Sequence, residues 1–136
     1  MFNLFISDTV GFIQKLPTTL VAAFKSTLEE AKDANLLLHV VDASHPEHRT
    51  QYDTVNQIIN DLNMDQIPQA VIFNKKDLCT EAQASPVAKS PYVFVSSRDE
   101  NDKDKVKNLM IDEIKRHLNY YEETVDSVNA NRLYFL

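Results

Sequence analysis

Short apolar runs alternate with longer amphipathic stretches along this chain. The runs are Phe2–Ile6, Leu36–Val41, Ala70–Phe73 and Tyr92–Val95, and polar residues follow each of them. Continuous apolar runs of this length are typical of strands that are buried on both faces, as in parallel sheets. The pattern therefore predicts four strands of a parallel sheet.

Helical periodicity fills most of the intervals between these runs. The first helix is predicted after Pro17, the second from Ser44 to Leu62, and the third from about Asp102 to Tyr120. Residues 44–47 read Ser-x-x-Glu, which predicts a capping box at the start of the second helix. Residues 80–91 are predicted to form a loop or a short helix, and residues 119–136 a C-terminal tail or linker.

The resulting order β-α-β-α-β-loop-β-α favours right-handed crossovers and a sheet with helices on both faces. The expected class is a three-layer α/β fold. In such sheets ligands bind at the carboxyl ends of the strands, so the polar residues that follow the runs are candidate site residues.

Composition narrows the choice of function. The 136 residues include a single glycine, so neither common glycine-rich phosphate loop can be written in this sequence. The net charge of −6 argues against a general polyanion binder, and DNA is not an expected partner. One cysteine, Cys79, allows no internal disulfide, which suits a reducing, cytoplasmic location. No apolar run approaches the roughly 20 residues that a membrane span needs.

The most specific motif is Asn74-Lys75-Lys76-Asp77, directly after the third run. A carboxylate such as Asp77 can accept paired hydrogen bonds from the N1–H and 2-amino groups of guanine, which adenine does not offer. The stem of Lys75 can lie flat on the purine, and Asn74 can join neighbouring loops.

Two weaker motifs follow other runs. Asp8-Thr9-Val10-Gly11 comes after the first run: Asp8 can hold Mg²⁺ through water, and Gly11 allows its N–H to approach a phosphate. Ser96-Ser97-Arg98 comes after the fourth run, where a backbone N–H can meet the guanine carbonyl and the Arg98 stem can cover the base. Either motif alone is equally typical of a polar turn.

Other polar residues receive simpler interpretations. We interpret Asp42 as a strand-end residue that leads into the turn at Ser44, His39 as a packed core histidine, and residues 99–107 as a solvated helix start. A metal site at His45 and His48 is not expected without further ligands.

In this order and spacing the motifs resemble those of translation-factor-like P-loop GTPases, and more closely those of HflX-type GTPases. The resemblance covers roughly residues 4–118, and the stretch from Asp8 to Glu30 is its most specific part. The residues that carry it are Asp8–Ile13, Leu16–Pro17, Leu20–Glu30, Leu36–Ser44 and Asn74–Leu78.

This resemblance implies a GTP- and Mg²⁺-binding protein that associates with the large ribosomal subunit. The nucleotide-binding residues would be Asp8, Gly11, Asn74, Lys75, Asp77, Ser96, Ser97 and Arg98, with Asp8 also serving the metal. It implies a partial P-loop GTPase (Rossmann-like) fold with a mainly parallel sheet.

The chain departs from the family pattern in several places. The family's first strand, phosphate loop and first switch would precede Phe2, so residues 1–118 are expected to be a truncated G domain. Phe12 stands where many GTPases carry a water-orienting glutamine, and HflX-type proteins are implied to share this apolar residue. We expect the fragment by itself to be unable to hydrolyse GTP and to bind no cofactor.

Two consequences follow for the isolated chain. The missing first strand normally lies between the first two strands predicted here. Its absence would leave a gap between those two strands or pair them abnormally. We therefore expect the isolated chain to self-associate or to rearrange its strands. The alternative function is a nucleotide-free α/β interaction module.

Overall fold

A computed structural model of the chain describes residues 4–9, 11, 18–80, 88–118 and 131–135. Among these residues no helix is long and apolar enough to cross a membrane. The strands and helices, in chain order, are β1 (Leu4–Asp8), α1 (Thr18–Glu29), β2 (Leu36–Asp42), α2 (His48–Asp61), β3 (Gln69–Asn74), β4 (Tyr92–Phe94), α3 (Glu100–Leu118) and β5 (Asn131–Phe135).

The strands form one sheet in the order β1-β5-β2-β3-β4, and every pairing is parallel. Alternate residues of β2 face opposite layers. Leu37 packs with Val55 and Ile59 of α2, whereas Leu36 and Leu38 pack against α3. The predicted three-layer α/β class is therefore confirmed.

Strand β5 is the main difference from the expected fold, because residues 131–135 were predicted to lie in a tail or linker. β1 and β2 are neither separated by a gap nor paired with each other; both pair with β5. The inner edges of β1 and β2 carry backbone groups that need hydrogen-bond partners. A segment distant in sequence supplies them, which local periodicity could not indicate.

The register of β5 sets the height of β1 in the sheet. Asp8 is paired with Phe135, and Phe135 is paired with Leu38 of β2, whereas Asp42 at the end of β2 is level with Asn74 of β3. Asp8 therefore lies four residues short of that edge, or about 13 Å at 3.3 Å per residue.

Several predicted boundaries need correction. Helix α2 begins at His48 rather than Ser44, and Glu47 at its N-terminus makes no side-chain capping bond. The predicted capping box is therefore wrong: the Ser44 hydroxyl donates instead to Asp42 Oδ1 at 2.6 Å. Helix α3 begins at Glu100, two residues before the predicted start. Residues 81–87, most of the predicted loop or short helix, lie outside the described residues.

Candidate functional site

The loops that follow β3 and β4 lie side by side at the carboxyl edge of the sheet. The two strands pair in parallel with Phe73 opposite Phe94, and Val95 N–H donates to Phe73 O at 2.8 Å. Three residues after Phe73, in the β3 loop, Lys76 N–H donates to Val95 O at 3.0 Å. This pairing brings together six of the predicted site residues, which are Asn74, Lys75, Asp77, Ser96, Ser97 and Arg98.

The carboxylate of Asp77 is held by the β4 loop. The Ser96 hydroxyl donates to Asp77 Oδ1 at 2.6 Å and accepts the N–H of Arg98 at 3.2 Å. The Ser96 hydrogen bond is the main reason why the pKa of Asp77 lies below its usual value. The Arg98 guanidinium is 3.9 Å from Asp77 Oδ2 and 81% exposed. Asp77 is thus an ionised, oriented acceptor with one oxygen turned toward solvent-exposed cationic groups.

A second bond joins the same loops. Ser97 N–H donates to Asn74 Oδ1 at 3.0 Å, so the last residue of β3 fixes the backbone of the β4 loop. Asn74 O also accepts the N–H of Ala43 at 3.0 Å. Asn74 therefore connects the loops that follow three adjacent strands.

Lys75 has an uncommon backbone conformation for a residue with a side chain. Its φ of 66° and ψ of 35° place it in the left-handed region. Its ammonium donates to Asp42 Oδ2 at 2.6 Å, while Asp42 Oδ1 accepts from both the N–H and hydroxyl of Ser44. Partial burial raises the pKa of Asp42, but the bonds from Lys75 and Ser44 outweigh it and hold that pKa below normal. Asp42 is therefore tied to its turn and to Lys75.

Asp8 does not lie at the same level as these loops. The register places Asp8 level with Leu38, with Phe135 of β5 between them, rather than at the height of Asp42. Gly11 is exposed, and a Cβ added there would meet no described atom within 4 Å. The predicted approach of Gly11 to a phosphate stays a prediction, and Phe12 lies outside the described residues.

The histidines predicted as non-ligands have other contacts. His39 is 4% exposed and stacks on Tyr52 with ring centroids 5.0 Å apart. His48 Nδ1 contacts His45 O at 2.8 Å, and His45 Nδ1 accepts the N–H of Glu47. Within the described ranges no three His, Cys, Asp or Glu side chains are placed to hold a metal ion.

Sequence reasoning missed Asp102, which was placed in a solvated helix start. It is 2% exposed and accepts hydrogen bonds from Lys76, Lys105 and the backbone N–H of Ser96. The spacing of Lys76 and Asp102 in sequence gives no sign of this contact, because it depends on how α3 docks beside the β3 loop.

The chain is similar to several curated proteins, all of which are named GTPase HflX. It is 50% identical over 101 residues to a GTPase HflX of Alkalihalophilus pseudofirmus, which is 74% of this chain and 24% of that protein. It is 38% identical over 121 residues to the GTPase HflX of Spirochaeta thermophila, or 89% of this chain and 29% of that protein. The chain belongs to the HflX GTPase family.

Further relatives agree with this assignment. The GTPase HflX of Escherichia coli is 44% identical over 73 residues, 54% of this chain and 17% of the relative. No family model matches the chain. The chain spans about a quarter of the length of the two HflX relatives that it matches over most of its own length. The family resemblance expected from the motifs is confirmed.

Proposed function

We propose that this chain carries the guanine-recognising loops of an HflX-type GTP-binding protein. The observation that supports this most is the hydrogen bond from Ser96 to Asp77, because it links the two motifs and holds a carboxylate ready to accept. Asn74 and Ser97 make the second link between the same loops. In this proposal Asp77 distinguishes the base, and the remaining loop residues hold it in place.

Asp77 has the acceptor capacity that guanine needs. An ionised carboxylate offers about four lone-pair sites on two oxygens, and Ser96 uses one of them. Oδ2 and the second lone pair of Oδ1 then accept the N1–H and 2-amino groups of guanine. Adenine has no hydrogen at N1 and no 2-amino group, so it would leave the carboxylate without these partners.

Two long side chains flank this carboxylate. Lys75 and Arg98 are both exposed, and their aliphatic stems can cover the two faces of a flat purine. Lys75 would exchange its bond with Asp42 for this position, at small cost because a half-exposed ion pair contributes little stability. The exposed backbone amide of Ser97 is the donor that a guanine carbonyl could share with Asn74.

Phosphate and metal binding belong to the same proposal through Asp8 and Gly11. One carboxylate suits Mg²⁺, which prefers few carboxylates together with waters and phosphate oxygens. Asp8 alone therefore fits the ion only when a nucleotide phosphate completes its ligands. Since β1 lies short of the guanine loops, we expect the base loops to bind independently of Asp8 and weakly.

The finer parts of the proposal follow from the family resemblance. The whole protein would bind GTP with Mg²⁺ and contact the large ribosomal subunit. The sequence given contains no glycine-rich loop to hold the phosphates, so this chain by itself would not hydrolyse GTP.

A nucleoside titration tests the guanine proposal. We expect guanosine at millimolar concentration to shift the amide NMR signals of residues 74–78 and 95–98, and adenosine to bind at least about tenfold more weakly. Asp77→Ala should abolish the preference, whereas Asp53→Ala on the exposed side of α2 should keep it. Equal responses to both nucleosides in the wild-type chain would refute guanine recognition.

The second candidate is a nucleotide-free interaction module. It is favoured by the internal bonds of Lys75 with Asp42 and of Ser97 with Asn74, which satisfy these polar groups within the chain. Sedimentation with ribosomes in the absence of nucleotide, unaffected by Asp77→Ala, would support the module instead.

A further inference from the structure

A buried carboxylate lies behind the two guanine loops and contacts both. Asp102, in the first turn of α3, is 2% exposed. Its Oδ2 accepts the Ser96 N–H at 2.9 Å and the Lys76 ammonium at 2.7 Å, and its Oδ1 accepts the Lys105 ammonium at 2.5 Å. A buried carboxylate is stable only when its oxygens are satisfied in this way.

These bonds lead directly to the base-reading residue. Ser96 donates its backbone N–H to Asp102 and its hydroxyl to Asp77. Lys76, the neighbour of Asp77 in sequence, donates two hydrogen bonds: its backbone N–H to Val95 O and its ammonium to Asp102. Asp77 is therefore fixed from both loops by residues that Asp102 anchors.

The charges around Asp102 keep this arrangement in place. Its two cationic partners, first Lys105 and then Lys76, hold the pKa of Asp102 far below its usual value. The bond to Asp102 is in turn the main cause of a raised pKa at Lys76. Both groups therefore stay charged throughout the neutral range, and the ion pair is kept there.

We propose that Asp102 is the positioning residue of the guanine site: it fixes Ser96 and Lys76 so that the Ser96 hydroxyl holds the Asp77 carboxylate toward the base. This inference rests on the proposed guanine-binding function. It assigns to α3 a part in base recognition, since the helix docks on the site through this side chain.

The test compares two buried carboxylates of α3. Asp102→Asn preserves the shape of the side chain but leaves one acceptor oxygen for three donors, and in either orientation its amide nitrogen faces one of the two ammonium groups. Glu113→Gln is the matched control, because Glu113 is 3% exposed, pairs with Arg116 at 2.9 Å, and lies three turns further along the helix.

Two readouts separate the inference from the function on which it rests. The first is the amide hydrogen-exchange rate of Ser96, which requires no ligand; we expect D102N to raise it about tenfold and E113Q to leave it unchanged. The second is guanosine affinity by NMR titration, which we expect D102N to lower about fivefold, with E113Q again neutral.

A double-mutant cycle distinguishes positioning from general structural support. If Asp102 acts through Ser96, the double variant D102N/S96A should lose less guanosine affinity than the product of the two single fold-losses. The double variant E113Q/S96A should lose affinity by the full product of its two single fold-losses. Wild-type exchange at Ser96 in a folded D102N protein would overturn the positioning role. Wild-type protein that protects Ser96 but binds guanosine and adenosine equally would overturn the guanine-binding function instead.

A second variant covers the case in which D102N does not fold. Lys76→Met keeps the aliphatic stem and leaves Asp102 paired with Lys105, so it should fold. We expect it to lower guanosine affinity about threefold and to speed exchange at the Lys76 amide. An unchanged affinity together with unchanged exchange in this variant would contradict the proposal.

Discussion

At the scale of single residues, the loops that we propose to recognise guanine contain a hydrogen bond that orients one carboxylate. Asp77 is exposed enough to reach a ligand, and the Ser96 hydroxyl, which donates to Oδ1 at 2.6 Å, orients the carboxylate and lowers its pKa. The neighbouring cation Arg98 remains 3.9 Å away, so it does not occupy the carboxylate. Base specificity in this proposal is therefore a property of one acceptor pair.

Exchanging the acceptor pair for an amide should change the preferred base. In Asp77→Asn the amide nitrogen becomes a donor, which suits the C2 carbonyl of xanthine and not the 2-amino group of guanine. We expect guanosine affinity to fall by about tenfold and xanthosine affinity to rise by a similar factor, as measured by NMR titration. A variant that binds both nucleosides like the wild type would show that Asp77 does not contact the base.

A second residue-scale feature is His39, which is neutral in the core. It is stacked on Tyr52, its Nδ1 lacks a hydrogen-bond partner among the described residues, and burial lowers its pKa to about 4. The unfolded chain takes up this proton near pH 6.5, whereas the folded chain does not until about pH 4. The protonation equilibrium of His39 therefore costs no stability above pH 6.5 and progressively more as the pH falls toward 4.

His39→Phe should remove that pH dependence. In urea unfolding between pH 4 and 7, the free energy of unfolding of the variant should rise relative to that of the wild type as the pH falls. The difference should change by up to about 3 kcal/mol. The phenyl ring retains the stack on Tyr52 and removes the unpaired nitrogen. His117→Gln, on the exposed face of α3, is the control. A constant difference between H39F and wild type across this range would contradict the neutral-core interpretation.

At the scale of elements, helix α2 has a well-defined C-terminal motif, whereas the capping box predicted at its N-terminus is absent. Asn63 has a φ of 55°, its N–H donates to Asn60 O at 2.9 Å, and Met64 N–H donates to Ile59 O at 3.0 Å. Met64 and Ile59 are also fully buried in one cluster. This is the Schellman arrangement with its accompanying apolar contact.

The left-handed residue in this motif offers a measurable stability effect. Asn63→Gly should raise the free energy of unfolding by roughly 0.5 kcal/mol, because glycine adopts this conformation without a Cβ penalty. Asn63→Val should lower it by about 1 kcal/mol or more for the opposite reason. In thermal and urea unfolding, the two variants should therefore change stability in opposite directions relative to the wild type. A change in the same direction for both would show that the helix end does not govern stability.

At the scale of the whole molecule, β5 joins β1 to the rest of the sheet. Among the described strands β1 pairs only with β5, and the exposed fractions of Phe5 and Ile6 are 58% and 54%. Losing β5 would expose two parallel strand edges beside uncovered apolar side chains. Such edges pair readily with another chain.

A proline in β5 tests this dependence within the complete chain. Leu133 is paired with both Ile6 and Leu36, and proline there removes a backbone donor and restricts the strand. We expect Leu133→Pro to form larger, concentration-dependent oligomers than the wild type in light scattering. Leu133→Val, which is compatible with a strand, should match the wild type. A stably folded L133P that scatters like the wild type would show that β5 does not protect the sheet.

The local signals in the sequence predicted much of this architecture. The apolar runs found β2, β3 and β4, and the polar residues after them identified the two loops that the structure joins through Asp77 and Ser96. The capping-box prediction failed because Asp42 attracts the Ser44 hydroxyl. That competition depends on which side chain turns toward the hydroxyl, and residue spacing does not specify it.

The sequence by itself determined the α/β class and the Asn74–Asp77 motif after β3, because hydrophobic period and short motifs are local properties of the chain. Only the tertiary structure decided that residues 131–135 enter the sheet, that Asp8 lies below the level of Asn74, and that Asp102 is buried under both loops. Each of these depends on contacts between segments far apart in sequence. Such contacts are selected by the backbone groups and charges that remain to be satisfied once the local elements have formed.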